Sequence, residues 1–243
     1  LNLPLLSPMS AIAGNMAITI GSYYLQYAGD LRGSGVQLGT INGNTSGNVV
    51  VVGDGVVGRH AAKMASGMGS NVTLLGLELA RMFECQKYFG EGNGVTYRKS
   101  TKENLEYYIK NADLVVGAVS IPGMKAPVVV TEDMVRSMRN GSVIVDVSID
   151  QGGCIETSRI RTHKHPVYSK HGVIHYCVSN MPGTYPRSAT DILTESTLPY
   201  ITRLASTGID KLDSNFKKGV YVHGGKITNL NVAESLELVE YYE

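Results

Sequence analysis

Val49-Val50-Val51-Val52-Gly53-Asp54-Gly55-Val56-Val57-Gly58 decides the fold. The four valines form a continuous β-branched run, the pattern of a strand buried on both faces. The six residues after them fit G-x-G-x-x-G. Beyond the turn, Val57, Ala61, Met64, Ala65 and Met68 recur at the spacing of one helix face. A strand that bends sharply on glycines into a helix aims backbone N–H groups and the positive end of a helix dipole at an anion. Gly53 makes the tight bend and Gly55 lets backbone approach a pyrophosphate. Gly58 lets helix and strand pack closely, and Val56 and Val57 open the helix. Glycine-rich loops also arise by chance. The strand before this one and the amphipathic helix after it predict a dinucleotide-binding turn.

Two residues fit that turn poorly. The acid that binds the adenosine ribose belongs at the end of the second strand, about 20 residues on. That position is Gly76, and Glu78 lies two residues later. Asp54 stands inside the turn itself. Facing the pyrophosphate, its carboxylate would cost on the order of 1 kcal/mol. Losing a charged hydrogen bond to the ribose would cost about 1.5–3 kcal/mol, so the missing acid is the larger effect.

Outward from the turn, strands and helices alternate. Strands are predicted at 72–75, 95–97, 114–116, 142–147 and 173–178. Helices are predicted at 77–88, 102–110, 131–138 (Thr131 as N-cap) and 186–204, with Gly90 to Gly94 breaking the first of these. Ahead of the turn, residues 8–28 read as a helix with Ser7 as N-cap and Pro8 at its first position, ending near Gly29. Gly33 to Gly47 reads as loop. The tail holds an extended piece at 220–223 and a final helix at 231–241. This alternation predicts an α/β fold, a doubly wound parallel-sheet Rossmann domain. The division is a connecting helix at 1–30, the dinucleotide domain at 31–185, and a C-terminal helical return at 186–243 into an incomplete second domain.

Composition narrows the function. The chain has 243 residues, 43% of them apolar, which supports a sizeable core. Twenty-two basic against 21 acidic residues give a net charge of +1. That offers no reason to expect nucleic acid or an anionic membrane surface. No apolar run reaches the roughly 18 residues of a membrane helix. Three widely spaced cysteines, Cys85, Cys154 and Cys177, read as reduced thiols of a cytoplasmic protein. Leu1 in place of Met suggests a chain that begins inside a longer protein. His163, His165, His171, His175 and Cys177 crowd one region, but their spacing matches no common zinc pattern, and no metal site is expected. Cys154 has no identifiable partner base and reads as structural.

Longer stretches carry a resemblance. They are Leu3-Pro4-Leu5-Leu6-Ser7-Pro8-Met9-Ser10, Gly55-Val56-Val57-Gly58, Ala112 to Val119, Ile121-Pro122-Gly123, Val145 to Cys154, and His171 to Gly183 with Asn180-Met181-Pro182-Gly183. Across nearly its whole length the chain resembles the alanine dehydrogenase family, with which transhydrogenase α subunits share the fold. The resemblance implies NAD-dependent, reversible oxidative deamination of L-alanine to pyruvate and ammonia by a homohexamer. It also implies that an N-terminal segment, absent here, supplies the substrate-holding arginine and lysine and the catalytic histidine. A catalytically silent dinucleotide-binding fragment and a transhydrogenase-like NAD(H)-binding domain are the alternatives.

By resemblance, Asp150 faces substrate and nicotinamide as the catalytic residue of this part, orienting the substrate nitrogen and stabilising its developing positive charge. Asn180 and Met181 flank the nicotinamide, with Val119 and Ile149 beside it. Ser10 lies near the cofactor and Arg81 near the adenosine ribose. Without the family pattern, Asp150 reads as a turn aspartate before Gly152-Gly153 and Asn180 as a loop residue before Pro182. The departures are Gly76 and Asp54, with Ala11 and Asn15 where a glutamate and an arginine usually follow Ser10. Gly76 together with Arg81 predicts a site that tolerates a 2′-phosphate, so that NADP binds as well as NAD. Glu78 opposes this, and could instead replace the missing acid.

Overall fold

The computed structural model describes residues 3–90, 92 and 94–243. Leu1, Asn2, Glu91 and Asn93 lie outside these. With them go the start of the expected 1–30 segment and two residues of the Gly90–Gly94 break.

The helix α1 (Ser7–Tyr24) comes first, followed by β1 (Gly39–Ile41), β2 (Asn44–Ser46) and β3 (Asn48–Val52). Then come α2 (Val56–Met68), β4 (Asn71–Gly76), α3 (Leu79–Phe89), β5 (Val95–Lys99), α4 (Lys102–Lys110) and β6 (Leu114–Gly117). The second half runs α5 (Glu132–Arg136), β7 (Val143–Asp146), β8 (Val167–Lys170), β9 (Val173–Tyr176) and α6 (Pro186–Thr207). The tail adds α7 (Ser214–Lys217), β10 (Val222–His223), β11 (Lys226–Ile227) and α8 (Leu230–Ser235).

Seven strands make one sheet in the order β5-β4-β3-β6-β7-β9-β8. The neighbours from β5 to β9 run parallel, and only the edge strand β8 is antiparallel, paired to β9. The chain winds from β3 out to β5, then returns to place β6 on the other side of β3. The gap between β3 and β6 is therefore the switch point where ligands bind in a doubly wound sheet. The valine run explains why β3 is central. Val49 and Val51 enter a core beneath α1 and α2, while Val50 and Val52 enter a second core with Leu105, Ile109, Met134 and Val135. Each such side chain contributes roughly 1.5–3 kcal/mol by burial.

Several expectations are corrected. Leu6, not Ser7, precedes the first helix, with no side-chain cap; Ser7 is already helical, and the helix ends at Tyr24 rather than near Gly29. The 33–47 loop contains the β1–β2 hairpin. Its turn places Asn42 and Gly43 at positive φ, the Asn-Gly pattern of a tight hairpin. Strand β8 was not foreseen. The helix expected at 231–241 stops at Ser235, and Val239–Tyr241 is a separate 3-10 turn. Thr131 does cap α5, its hydroxyl accepting from the Met134 N–H at 3.3 Å. Among the described residues, no helix is long and apolar enough to cross a membrane.

His175 lies in the sheet, with both ring nitrogens facing protein groups. Its Nδ1 is 3.0 Å from the Val173 carbonyl and its Nε2 2.8 Å from the Thr157 hydroxyl. The ring stacks on Tyr168 at 4.9 Å. Burial, then the positive Lys170 and His171, push its pKa down to about 4, against an opposing pull from the Val173 carbonyl. The unfolded value is near 6.5. Above 6.5 neither state binds the proton. Between 6.5 and 4 the unfolded chain binds more, so stability falls as pH falls, and below 4 the loss levels off. A loss of about 2–3 kcal/mol across that window is expected. Urea unfolding at pH 7.5 and 4.5 checks it. His175→Gln should flatten the difference, and an unchanged pH dependence in that variant would rule His175 out as its source.

Candidate functional site

The turn after β3 has the features its sequence predicts. Gly53 takes φ +111°, and a Cβ there would strike the carbonyl of Ala118 at the head of the next strand's loop. Its N–H donates to the Leu75 carbonyl at 2.8 Å. Gly55 caps α2, and the space beside its Cα is open. A Cβ on Gly58 would strike the Gly53 carbonyl oxygen. Val56 and Val57 form the first helical turn. Two glycines thus pack backbone on backbone, while the third leaves backbone accessible. These residues fit a pyrophosphate lying on the N-terminus of a 13-residue helix.

Helix α1 braces the turn from behind. A Cβ on Gly14 would meet the Val57 carbonyl oxygen, so α1 and α2 touch through glycine. Ser10 lies one turn before Gly14 on that face, half-buried. The Ser10 N–H donates to the Leu6 carbonyl at 3.0 Å, within the helix.

Across the switch point, the loops after β6, β7 and β9 bring the other predicted residues to the same edge of the sheet. Val119 follows β6, half-buried. Ile149 and Asp150 lie in the 3-10 turn Val147–Gln151 after β7, Ile149 buried and Asp150 exposed. The Asp150 carboxylate accepts the Asn180 N–H at 3.1 and 3.3 Å. Asn180 takes a left-handed conformation, φ +50°. Met181 is buried in the core that also holds Met16 of α1. A carboxylate on this rim can hold a cationic nitrogen beside whatever fills the cleft.

Below that rim, Asp146 fixes the loop. It is buried and accepts from the N–H groups of Ser148 and Cys154, each at 3.0 Å, and from the Ser158 hydroxyl at 2.6 Å. Burial pushes its carboxyl up, and these bonds pull it back. Burial, then the adjacent Asp146, drive the Cys154 thiol well above its ordinary range, so it is a poor nucleophile.

Asp54 departs most from expectation. Its carboxylate turns away from the phosphate position and toward the end of β4. There it accepts the Tyr97 hydroxyl at 2.6 Å and lies 3.3 Å from Arg81 Nη1. Gly76 leaves no empty pocket, since a Cβ on it would strike the Tyr97 hydroxyl and Asp54 Oδ2. Burial, then Asp54, push the Tyr97 hydroxyl above its ordinary range, so it stays a donor. Glu78, the other candidate acid, is exposed; its carbonyl, not its carboxylate, meets the Tyr97 hydroxyl, at 3.3 Å. Sequence reasoning missed Tyr97. The available signal was Asp54 itself, an acid out of place in the turn with none at the strand end.

The profile described as "Alanine dehydrogenase/PNT, C-terminal domain" matches residues 17–230. The chain belongs to this family. It is 45% identical over 241 residues to alanine dehydrogenase 2 of Staphylococcus aureus (strain USA300), covering 98% of this chain and 64% of that protein. It is 48% identical over 241 residues to the alanine dehydrogenase of Staphylococcus saprophyticus subsp. saprophyticus, covering 97% and 64%. A solved structure of an L-alanine dehydrogenase superposes with a TM-score of 0.85 at 40% identity, covering 98% of this chain and 65% of that one. A transhydrogenase from Sinorhizobium meliloti shares the fold, with a TM-score of 0.72 at 24% identity over 92% of this chain and 63% of that one. The chain therefore spans about two-thirds, 64%, of the length of the alanine dehydrogenases it matches. Membership of the alanine dehydrogenase/PNT family implies a nicotinamide dinucleotide cofactor.

Proposed function

We propose that these residues are the cofactor-binding part of an NAD-dependent L-alanine dehydrogenase. The identity to alanine dehydrogenases along 98% of the chain, with the glycine turn intact, is the observation that carries this reading. Residues 31–185 would form the dinucleotide domain, with 1–30 and 186–243 reaching toward the substrate side. Gly53 to Gly58 hold the pyrophosphate on the N-terminus of α2. Val119, Ile149, Asn180 and Met181 border the nicotinamide, and Ser10 closes the site from α1. The nicotinamide supplies a hydride acceptor. Asp150 orients the substrate amine as the Cα hydride and the nitrogen proton leave, and stabilises the positive charge on nitrogen. Water then converts iminopyruvate to pyruvate and ammonia. A homohexamer in the cytoplasm belongs to the same proposal, with the apolar helix α1 as its contact element; three free, buried cysteines support the compartment.

Two measurements test the reading. Calorimetric titration of the 243-residue chain should show NAD binding. Alanine-dependent NADH formation should appear in the protein extended to the full length of its relatives, and not in these 243 residues alone. Turnover by the 243 residues would refute the second expectation. Hydride exchange between nucleotides without any alanine oxidation would favour a transhydrogenase-like role instead.

A further inference from the structure

The corner where β4 ends has its acid on the neighbouring glycine turn, not at the strand end. In a general dinucleotide site, the residue at that strand end carries the carboxylate that accepts the adenosine ribose 2′-hydroxyl. Here it is Gly76, and the space a side chain would fill there is taken by Asp54 Oδ2 and the Tyr97 hydroxyl. Asp54 is only 8% exposed, and Tyr97 and Arg81 hold it in place. A carboxylate offers about four acceptor positions. Tyr97 uses one on Oδ2 and Arg81 one on Oδ1, which leaves capacity for a ribose hydroxyl.

We propose that Asp54 reads the 2′-hydroxyl of the adenosine ribose, supplying from within the glycine turn the carboxylate that the strand end lacks. This rests on the dinucleotide reading and gives it a direction, toward NAD and against NADP. A 2′-phosphate would stand against a fixed anion. Arg81, the cation at hand, already shares its charge with Asp54. Gly76 then has a positive role, because its missing side chain admits the carboxylate.

The test is calorimetric titration of the chain with NAD, NADP and the 2′-deoxyadenosine analogue of NAD. A charged hydrogen bond to the ribose corresponds to about 10- to 100-fold tighter binding of NAD than of the deoxy analogue. NADP should bind at least as weakly as the analogue. Asp54→Asn and Asp54→Ala should weaken NAD by a similar factor and leave the analogue unchanged. Equal binding of NAD and the deoxy analogue by the unsubstituted chain overturns the assignment, and that comparison needs no variant to fold. NADP bound as tightly as NAD overturns it too. Binding of none of the three overturns the dinucleotide reading along with it.

Discussion

Gly58→Ala is expected to weaken NAD binding by at least about 100-fold and to destabilise the chain by about 3 kcal/mol or more. The added methyl would run into the Gly53 carbonyl oxygen, with Val51 Cγ1 only 3.3 Å away. A side-chain end could rotate aside, but a carbonyl in a tight turn cannot. The alternative is for α2 to back away, and α1 blocks that path where Gly14 touches the Val57 carbonyl. The strain therefore falls on the turn and moves the N–H groups of Val56 and Val57. Gly55→Ala is the control. Gly55 has an ordinary φ of −71° and open space beside it, so stability should stay within about 1 kcal/mol. Its affinity should still fall, because the methyl stands where phosphate must approach. Urea unfolding and NAD titration of both variants check the pair. Wild-type affinity and stability in Gly58→Ala would sink the argument.

If the proposed alanine oxidation holds, Asp150→Ala is expected to lower its kcat, in the protein extended to the length of its relatives, by about 10²- to 10³-fold, the scale for losing one preorganised charge-stabilising group. Nucleotide affinity should change far less. The competing reading is that Asp150 only fixes the turn at Asn180, whose N–H it accepts. Asp150→Asn separates the two. An asparagine oxygen can still accept that N–H and hold the left-handed residue, but it carries no charge. Activity restored to near wild type by Asp150→Asn would make the residue structural. Activity that stays low, with normal unfolding, assigns the effect to the carboxylate. Because Asp150 is exposed, neither variant should cost more than about 1 kcal/mol of stability.

The central part of the fold was legible because its signals are local. Four consecutive valines can be buried on both faces only in an inner strand, and helical spacing after a glycine turn leaves one arrangement. Lys102–Lys110 was predicted to the residue, and Thr101 caps it, its side chain accepting from the Asn104 N–H at 3.3 Å. What escaped depends on pairing partners. Val167 to Lys170 is short and mixed, and becomes a strand only by lying against β9. The Asn42-Gly43 hairpin was hidden among other polar residues, although that dipeptide is a turn signal. In the site, the glycines were legible from the local pattern, whereas Asp150 and Asn180 were named only through the family resemblance. The direction of Asp54 could not be read, because it depends on Tyr97, 43 residues away and two strands across the sheet.

The interlock of Asp54, Gly76 and Tyr97 also limits how this chain can change over generations. An acid cannot appear at position 76 while Tyr97 and Asp54 fill the space, since its first carbon already collides with both. Removing Asp54 first leaves a corner with no carboxylate. Any order of single substitutions passes through a poorer intermediate, so two arrangements that differ at positions 54, 76 and 97 are separated by a valley. Lineages that hold one arrangement are expected to keep it, and chimeras that mix the turn of one with the strand of the other should fail although each part is sound.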